Sequence, residues 1–398
     1  MLIIEKEILM SFYKAVAKKV AIATATASCC ISLYANAIVP NFKAPELKAK
    51  SYVIMDSESG KILDSKNASE RYEPASLTKM MTAYIVEAEL AEGRISLDDM
   101  VPVSVKAWKQ EGSRMFIREG TSVKLSDLLR GVVIQSGNDA SVALAEYIAG
   151  SEEAFADLMN QHALKLGMQN THFINSTGLP DQDHFSSAED LAILARAIVR
   201  DFPDNFHIYA EKEFEYNNIK QANRNKLLFT DSSVDCCKTG YTSSAKYGLV
   251  ASAKRDDFRI ITVVMGVPTL KERVSESQSL ISYAYRAYES MDLYKKGAVV
   301  SNIEVRGGKL DSVPVAINED VSIVIKRGEE DSLEAALAIG EYLEAPVEAG
   351  TPVGKVFVKR GTETLYIAEA VTTADVEEAG FFEKIWKSIV RFFKGLFD

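Results

Sequence analysis

Two short runs of mainly apolar positions, residues 51–56 and 61–64, flank Ser57-Glu58-Ser59-Gly60, a pattern that predicts a β-hairpin. The period then lengthens. Apolar residues recur three and four apart over residues 77–90, 125–133, 140–148, 154–166 and 188–199, which predicts five helices. Beyond Gly240 the chain returns to strand patterning at 247–253 and 258–265, joined by the turn residues Arg255-Asp256-Asp257, and a helix over 273–288 follows. Strands at both ends with helices between them predict an α+β domain, in which N- and C-terminal segments close one sheet and the helices pack on it.

Near Lys296-Gly297 the texture changes to Val, Ile and Thr runs broken by Gly, at 299–305, 313–317, 321–325, 353–358 and 364–368. This reads as a separate small all-β domain. Residues 330–343 are helical by composition yet lie among strands, so both readings stand. The last stretch differs again. Phe382, Ile385, Trp386, Ile389, Phe393 and Leu396 recur at helical spacing, and Lys384, Lys387, Arg391 and Lys394 recur on another face. A basic amphipathic helix of this kind lies in a lipid headgroup region; the competing reading is a helix docked on the protein's own core.

The first residues carry no fold signal. Lys14, Lys18 and Lys19 precede an uncharged stretch over 20–34 and then Ala35-Asn36-Ala37, the order of a secretory signal peptide cleaved after Ala37. A membrane-spanning anchor is the competing reading, but the apolar run falls short of the roughly 20 residues a bilayer core needs. Met10 is the alternative start. The expected organisation is therefore a signal peptide at 1–37, a catalytic domain at 38–295, a β-rich domain at 296–376 and an amphipathic helix at 377–398.

Composition narrows the function. The 398 residues are 47% apolar and 26% charged, enough for more than one packed core. The formal charge of −10, about −12 once residues 1–37 are removed, argues against nucleic acid as a partner. The four histidines form no His-x-x-x-His pair, and the four cysteines fall as two adjacent pairs, Cys29-Cys30 and Cys236-Cys237. Neither zinc spacing nor a disulfide framework is visible, and no metal or cofactor is expected.

Candidate chemistry begins at Glu73-Pro74-Ala75-Ser76-Leu77-Thr78-Lys79, where Ser76 and Lys79 stand three apart on one helix face. A serine hydroxyl is a weak nucleophile until a nearby group takes its proton, and a desolvated lysine can be neutral enough to do so. Alone the motif is unspecific, since Ser-x-x-Lys recurs at Ser11 and Ser243 and describes an ordinary capped helix start equally well. Two further motifs change this: Ser136-Gly137-Asn138 at a helix start, and Lys238-Thr239-Gly240 before the closing strands. Ser-x-Asn also occurs at Ser65, whereas Lys-Thr-Gly occurs once. Ser-x-x-Lys, Ser-x-Asn and Lys-Thr-Gly in this order form the set found in β-lactamases and penicillin-binding proteins.

From about residue 44 onward the chain resembles the low-molecular-mass penicillin-binding proteins that are D-alanyl-D-alanine carboxypeptidases, similar to penicillin-binding protein 5. Ser136-Gly137-Asn138-Asp139-Ala140, Asn175-Ser176-Thr177-Gly178-Leu179-Pro180, Leu249-Val250-Ala251-Ser252-Ala253, the β domain and the amphipathic tail carry the resemblance. It implies a β-lactamase/transpeptidase-like catalytic domain with an antiparallel sheet. It also implies that Ser76 attacks the penultimate D-Ala carbonyl of a peptidoglycan pentapeptide with Lys79 as general base. Ser136 would relay a proton to the leaving amine, and Asn138 would hold the substrate amide. Lys238 would supply positive potential, while Thr239, Gly240, Tyr241 and the backbone N–H groups of Ser76 and Tyr241 would engage the terminal carboxylate and the oxyanion. Arg224 and Arg273 match family arginines, with Arg273 as the carboxylate contact. β-Lactams would acylate the enzyme. It would be exported to the periplasmic face of the inner membrane and attach to that surface through residues 381–398.

Two departures stand out. Tyr241 occupies a position where some relatives have His, which leaves its backbone role intact. Cys236 and Cys237 replace small or apolar residues; on a strand they face opposite ways, so buried free thiols are expected rather than a vicinal disulfide. A β-lactamase and an inactive wall-binding scaffold are the alternatives. Class A β-lactamases need a carboxylate between the second and third motifs to activate water, but Glu189 and Asp190 follow Ser186-Ser187-Ala188 as helix-capping residues.

Overall fold

The computed structural model describes residues 42–383 and 385–387. The expected signal peptide lies outside them, as does most of the tail. The chain divides into two units, one ending at Ala287 and one starting at Tyr288.

In the first unit β1 (Ser51–Asp56) and β2 (Ile62–Lys66) form the expected hairpin. A 3₁₀ turn over Ala75–Thr78 leads into α1 (Lys79–Ala91). Short elements follow: β3 (Met100–Pro102), α2 (Val105–Trp108) and β4 (Ser122–Lys124), with β3 and β4 paired. Next come α3 (Leu125–Arg130), a π turn over Gly131–Gln135, α4 (Asn138–Ala149), α5 (Glu152–Leu166) and α6 (Ala188–Asp201). The hairpin of β5 (Glu213–Tyr216) and β6 (Ile219–Ala222) and the single turn α7 (Leu227–Thr230) precede β7 (Val234–Thr242), β8 (Lys246–Arg255), β9 (Phe258–Val267) and α8 (Leu270–Ala287).

The sheet runs β2-β1-β9-β8-β7, with each pairing antiparallel, so segments distant in sequence close it as the patterning predicts. Both α6 and α8 pack on β9, whose residues are buried on both faces. Helix limits follow local chemistry. Ser151 and Ser187 cap α5 and α6 by accepting from Ala154 N and Asp190 N, and α4 and α5 end at Gly150 and Gly167, both with positive φ. In α1 every residue from Lys79 to Glu87 is buried, and in α4 every residue from Asn138 to Ala145. These two helices are interior on all sides, so their polar residues are held inside the protein.

The second unit carries β10 (Tyr288–Tyr294), β11 (Val299–Arg306), β12 (Ser312–Ile317), β13 (Val321–Lys326), β14 (Leu333–Ile339), β15 (Tyr342–Glu344), β16 (Pro352–Arg360) and β17 (Glu363–Thr372). Six strands form a sheet in the order β14-β16-β17-β12-β11-β15, and β10 pairs with β13. The second unit thus begins eight residues before the expected 296, with Tyr288, the expected last residue of a helix, opening the strand Tyr288–Tyr294. Residues 330–343 resolve into a 3₁₀ turn at Glu330–Ser332 followed by β14 and β15. Pairing of β14 with β16 along its whole length overrides a composition that favours helix.

Residues 381–383 and 385–387 are helical, and Phe381, Phe382 and Trp386 are exposed. Lys387 does not stand free on a cationic face. Its ammonium donates to the carbonyls of Gly308 and Lys309, at 2.9 Å each, and lies 3.1 Å from the Asp311 carboxylate.

Candidate active site

Ser76 sits in the 3₁₀ turn that starts α1. Ala75 before it holds φ at +50°, a conformation that L-residues rarely adopt. Two glycines hold this turn from either side. A Cβ on Gly178 would lie 1.8 Å from Ala75 O, and one on Gly240 would lie 2.9 Å from Pro74 O. No side chain fits in either place, so the loop after Asn175 and the strand β7 come up directly against the backbone around Ser76.

Lys79 is fully buried one turn later. Its Nζ lies 3.2 Å from Ser76 Oγ, 2.7 Å from Asn138 Oδ1 and 2.5 Å from Thr177 O. Burial lowers its pKa to about 7, helped by the positive field of Arg224 and opposed by Asp139 and Glu152. A neutral lysine has two N–H bonds and one lone pair. With Asn138 Oδ1 and Thr177 O as the two acceptors, the lone pair is left facing the Ser76 hydroxyl.

Ser136 ends the π turn at φ +67°, buried, and its Oγ has no hydrogen-bond partner among the described residues. Asn138 begins α4. Its Oδ1 accepts from Lys79 and its Nδ2 donates to Glu111 O at 2.6 Å, and a primary amide keeps a second N–H and a second lone pair beyond these two bonds. Asn138 N donates to Ser113 O, and the Asp139 carboxylate accepts from the amides of Met115, Phe116 and Ile117. The Ser-x-Asn motif thereby fastens the 111–117 loop to the site.

Along β7, Lys238 and Thr239 are buried and Tyr241 is exposed, its ring 4.3 Å from that of Tyr247. Lys238 donates to Thr239 O at 2.9 Å. Burial lowers its pKa well below the usual lysine range, and the charges of Lys79, Arg224 and Arg273 add to this. Arg273, on α8, is buried, its guanidinium 5.5 Å from the centre of the Tyr247 ring and its Nε without a partner among the described residues; burial, opposed by Tyr247 and helped by Arg224, brings its pKa to about 10. Arg224 lies exposed between the buried Asn223 and Asn225. Cations close enough to repel one another are relieved by an anionic ligand.

The expectation of free thiols is overturned, since Cys236 and Cys237 are joined in a buried vicinal disulfide. The strand rule of opposite faces assumes a trans peptide, whereas the Cys236-Cys237 peptide is cis, with the Cα atoms 3.1 Å apart.

Residues 39–269 match the family described as D-alanyl-D-alanine carboxypeptidase, and residues 288–378 match the penicillin-binding protein 5 C-terminal domain. The chain belongs to the D-alanyl-D-alanine carboxypeptidase family. It is 41% identical to the carboxypeptidase DacA of Haemophilus influenzae over 89% of this chain and 92% of that one. The crystal structure of penicillin-binding protein 5 from Haemophilus influenzae is 40% identical, with a TM-score of 0.76 over 84% of this chain and 99% of that one. Penicillin-binding protein D2 from Listeria monocytogenes, in its ampicillin-bound form, is 25% identical, with a TM-score of 0.57 over 61% of this chain and 99% of its own.

In this carboxypeptidase several functional contacts come from residues that motif reading passed over. Thr177, within the Asn-Ser-Thr-Gly run, gives Lys79 a carbonyl, and Asn175 Oδ1 holds the loop by accepting from Thr177 N and Gly178 N. His184 is buried, accepts from Ile174 N at Nδ1 and meets Thr78 Oγ1 at Nε2, 2.8 Å away. Burial lowers its pKa to about 4, so it is neutral near pH 7. Glu189 and Asp190 are committed elsewhere: Glu189 accepts from Ser69 Oγ, and Asp190 from Asn170 N and Thr171 Oγ1.

Proposed function

We propose that this D-alanyl-D-alanine carboxypeptidase cleaves its substrate through an acyl-enzyme on Ser76. Lys79 takes the hydroxyl proton as Ser76 Oγ bonds to the carbonyl carbon of the penultimate D-Ala. The C–N bond to the terminal D-Ala then breaks, and Ser136 passes a proton to the departing amine. Water hydrolyses the ester and frees Ser76. The N–H groups of Ser76 and Tyr241 hold the oxyanion, and Lys238, Thr239 and Arg273 take the terminal carboxylate, with Arg224 adding positive field. The observation that carries this reading is the buried Lys79, 3.2 Å from Ser76 Oγ and with a pKa near 7.

β-Lactams, which present a strained carbonyl beside a carboxylate, would acylate the same serine. The commitment of the Glu189 carboxylate to Ser69 Oγ, and of the Asp190 carboxylate to Asn170 N and Thr171 Oγ1, favours a carboxypeptidase over a β-lactamase. The deciding experiment follows both labelled penicillin and a D-Ala-D-Ala pentapeptide. A long-lived adduct on Ser76 together with D-Ala release is expected; rapid penicillin turnover without D-Ala release would point to a β-lactamase, and no adduct to an inactive scaffold.

The mature chain would begin at residue 38 on the periplasmic face of the inner membrane and bind that surface through residues 381–398, where exposed Phe381, Phe382 and Trp386 offer apolar contact. Deleting 381–398 should release the protein from membranes with its peptidase activity intact; continued membrane binding would remove the tail as the anchor.

A further inference from the structure

The oxyanion pocket of the proposed mechanism has one donor on each of two separate elements, Ser76 N in the 3₁₀ turn and Tyr241 N on β7. The distance between these elements therefore decides whether both donors reach one oxygen. Neither element fixes that distance by itself. The turn contains Ala75 at φ +50°, which costs on the order of 1 kcal/mol and persists only where surroundings hold it. At Gly240, β7 meets the turn through close backbone contact with Pro74 and Leu77, which sets how near the strand can come but does not hold it there.

A polar tie sits at this junction. The carboxylate of Glu73, three residues before Ser76, accepts from Ser244 Oγ at 2.5 Å and from Thr242 Oγ1 at 3.4 Å. Thr242 immediately follows Tyr241, and its hydroxyl also accepts from Ala245 N, so the tie grips the whole turn between β7 and β8. Both clasped segments are thus within three residues of an oxyanion donor.

We infer that Glu73 is a positioning residue that holds the β7 end of the oxyanion pocket against the nucleophile turn. The inference rests on the proposed roles of the Ser76 and Tyr241 amides. Because the oxyanion forms only as the carbonyl is attacked, loosening the tie raises the transition-state barrier without weakening ground-state binding.

The test compares the full chain with Glu73→Ala, Glu73→Gln, Ser244→Ala and the double variant Glu73→Ala/Ser244→Ala. The readouts are D-Ala release from a D-Ala-D-Ala peptide, the rate of acylation by labelled penicillin, and thermal unfolding. Glu73→Ala should lower kcat and acylation about tenfold, with KM within about twofold and the melting temperature near that of the unaltered chain. Glu73→Gln keeps an acceptor oxygen and should recover most of the loss, while the double variant should be no slower than Glu73→Ala. Unchanged kcat in Glu73→Ala, a loss shared equally by KM, or additive losses in the double variant would overturn the inference. Failure of the unaltered chain to release D-Ala would be visible before any variant is compared and would overturn the carboxypeptidase reading, and this inference with it.

Discussion

At the residue scale the site turns on the protonation of Lys79. With its pKa near 7 the group is charged below that pH and neutral above it, and only the neutral form accepts the Ser76 proton. The kcat/KM for D-Ala release should therefore rise as pH passes upward through about 7. A profile flat from pH 5.5 to 8.5 would exclude Lys79 as the base. Lys79→Ala should slow acylation by penicillin on the order of 10²–10⁴-fold, read as loss of labelled adduct formation. Ser76, Lys79, Ser136 and Lys238 were legible as types at set spacings. Asn138 was legible as part of its motif, though not as an acceptor for Lys79; the carbonyl of Thr177 was not, because a backbone carbonyl has no sequence signature and Thr177 lies 98 residues away.

At the scale of elements, α1 carries Lys79 at one end and a second buried ionisable group further along. Glu87 is buried, accepts from Asn205 Nδ2 at one oxygen and has no partner at the other among the described residues; burial raises its pKa to about 7, against opposing effects of Asn205 and His207. The unfolded chain releases this proton near 4.5 and the folded one near 7. Between those values the folded state holds the proton more tightly, so stability falls as pH rises through the window and levels off above it. Glu87→Gln should flatten that dependence and gain on the order of 2 kcal/mol relative to the unaltered chain at pH 8, measured by denaturant unfolding. The approach of loop and strand to the 3₁₀ turn gives a second prediction. Gly178→Ala places a Cβ against Ala75 O at a positive φ and should abolish penicillin binding and lower the melting temperature. Gly240→Ala, with its milder approach to Pro74 O, should cost mainly kcat. Helix and strand periods were readable in the chain, including the interior helices. The short pairs β3–β4 and β5–β6 were missed, since three or four residues are too few to show a period.

At the scale of the whole molecule, residues 42–287 contain their own core and every proposed catalytic residue, whereas the second unit has separate cores around Val313 and Val321. Residues 42–287 expressed alone should form the penicillin adduct at a rate near that of the full chain; loss of adduct formation in a folded fragment would tie catalysis to the β unit. The sequence by itself determined the α+β catalytic domain, the β-rich domain after it, and the three motifs, because hydrophobic period and residue type are local properties. Tertiary structure alone decided that residues 333–339 are a strand, that the second unit begins at Tyr288, that Cys236 and Cys237 are joined, and that Asn138 and Thr177 converge on Lys79. All but the disulfide, which joins adjacent residues, depend on what a distant segment places alongside: a pairing strand, a neighbouring backbone, or an acceptor for a buried proton. No window of sequence contains that information.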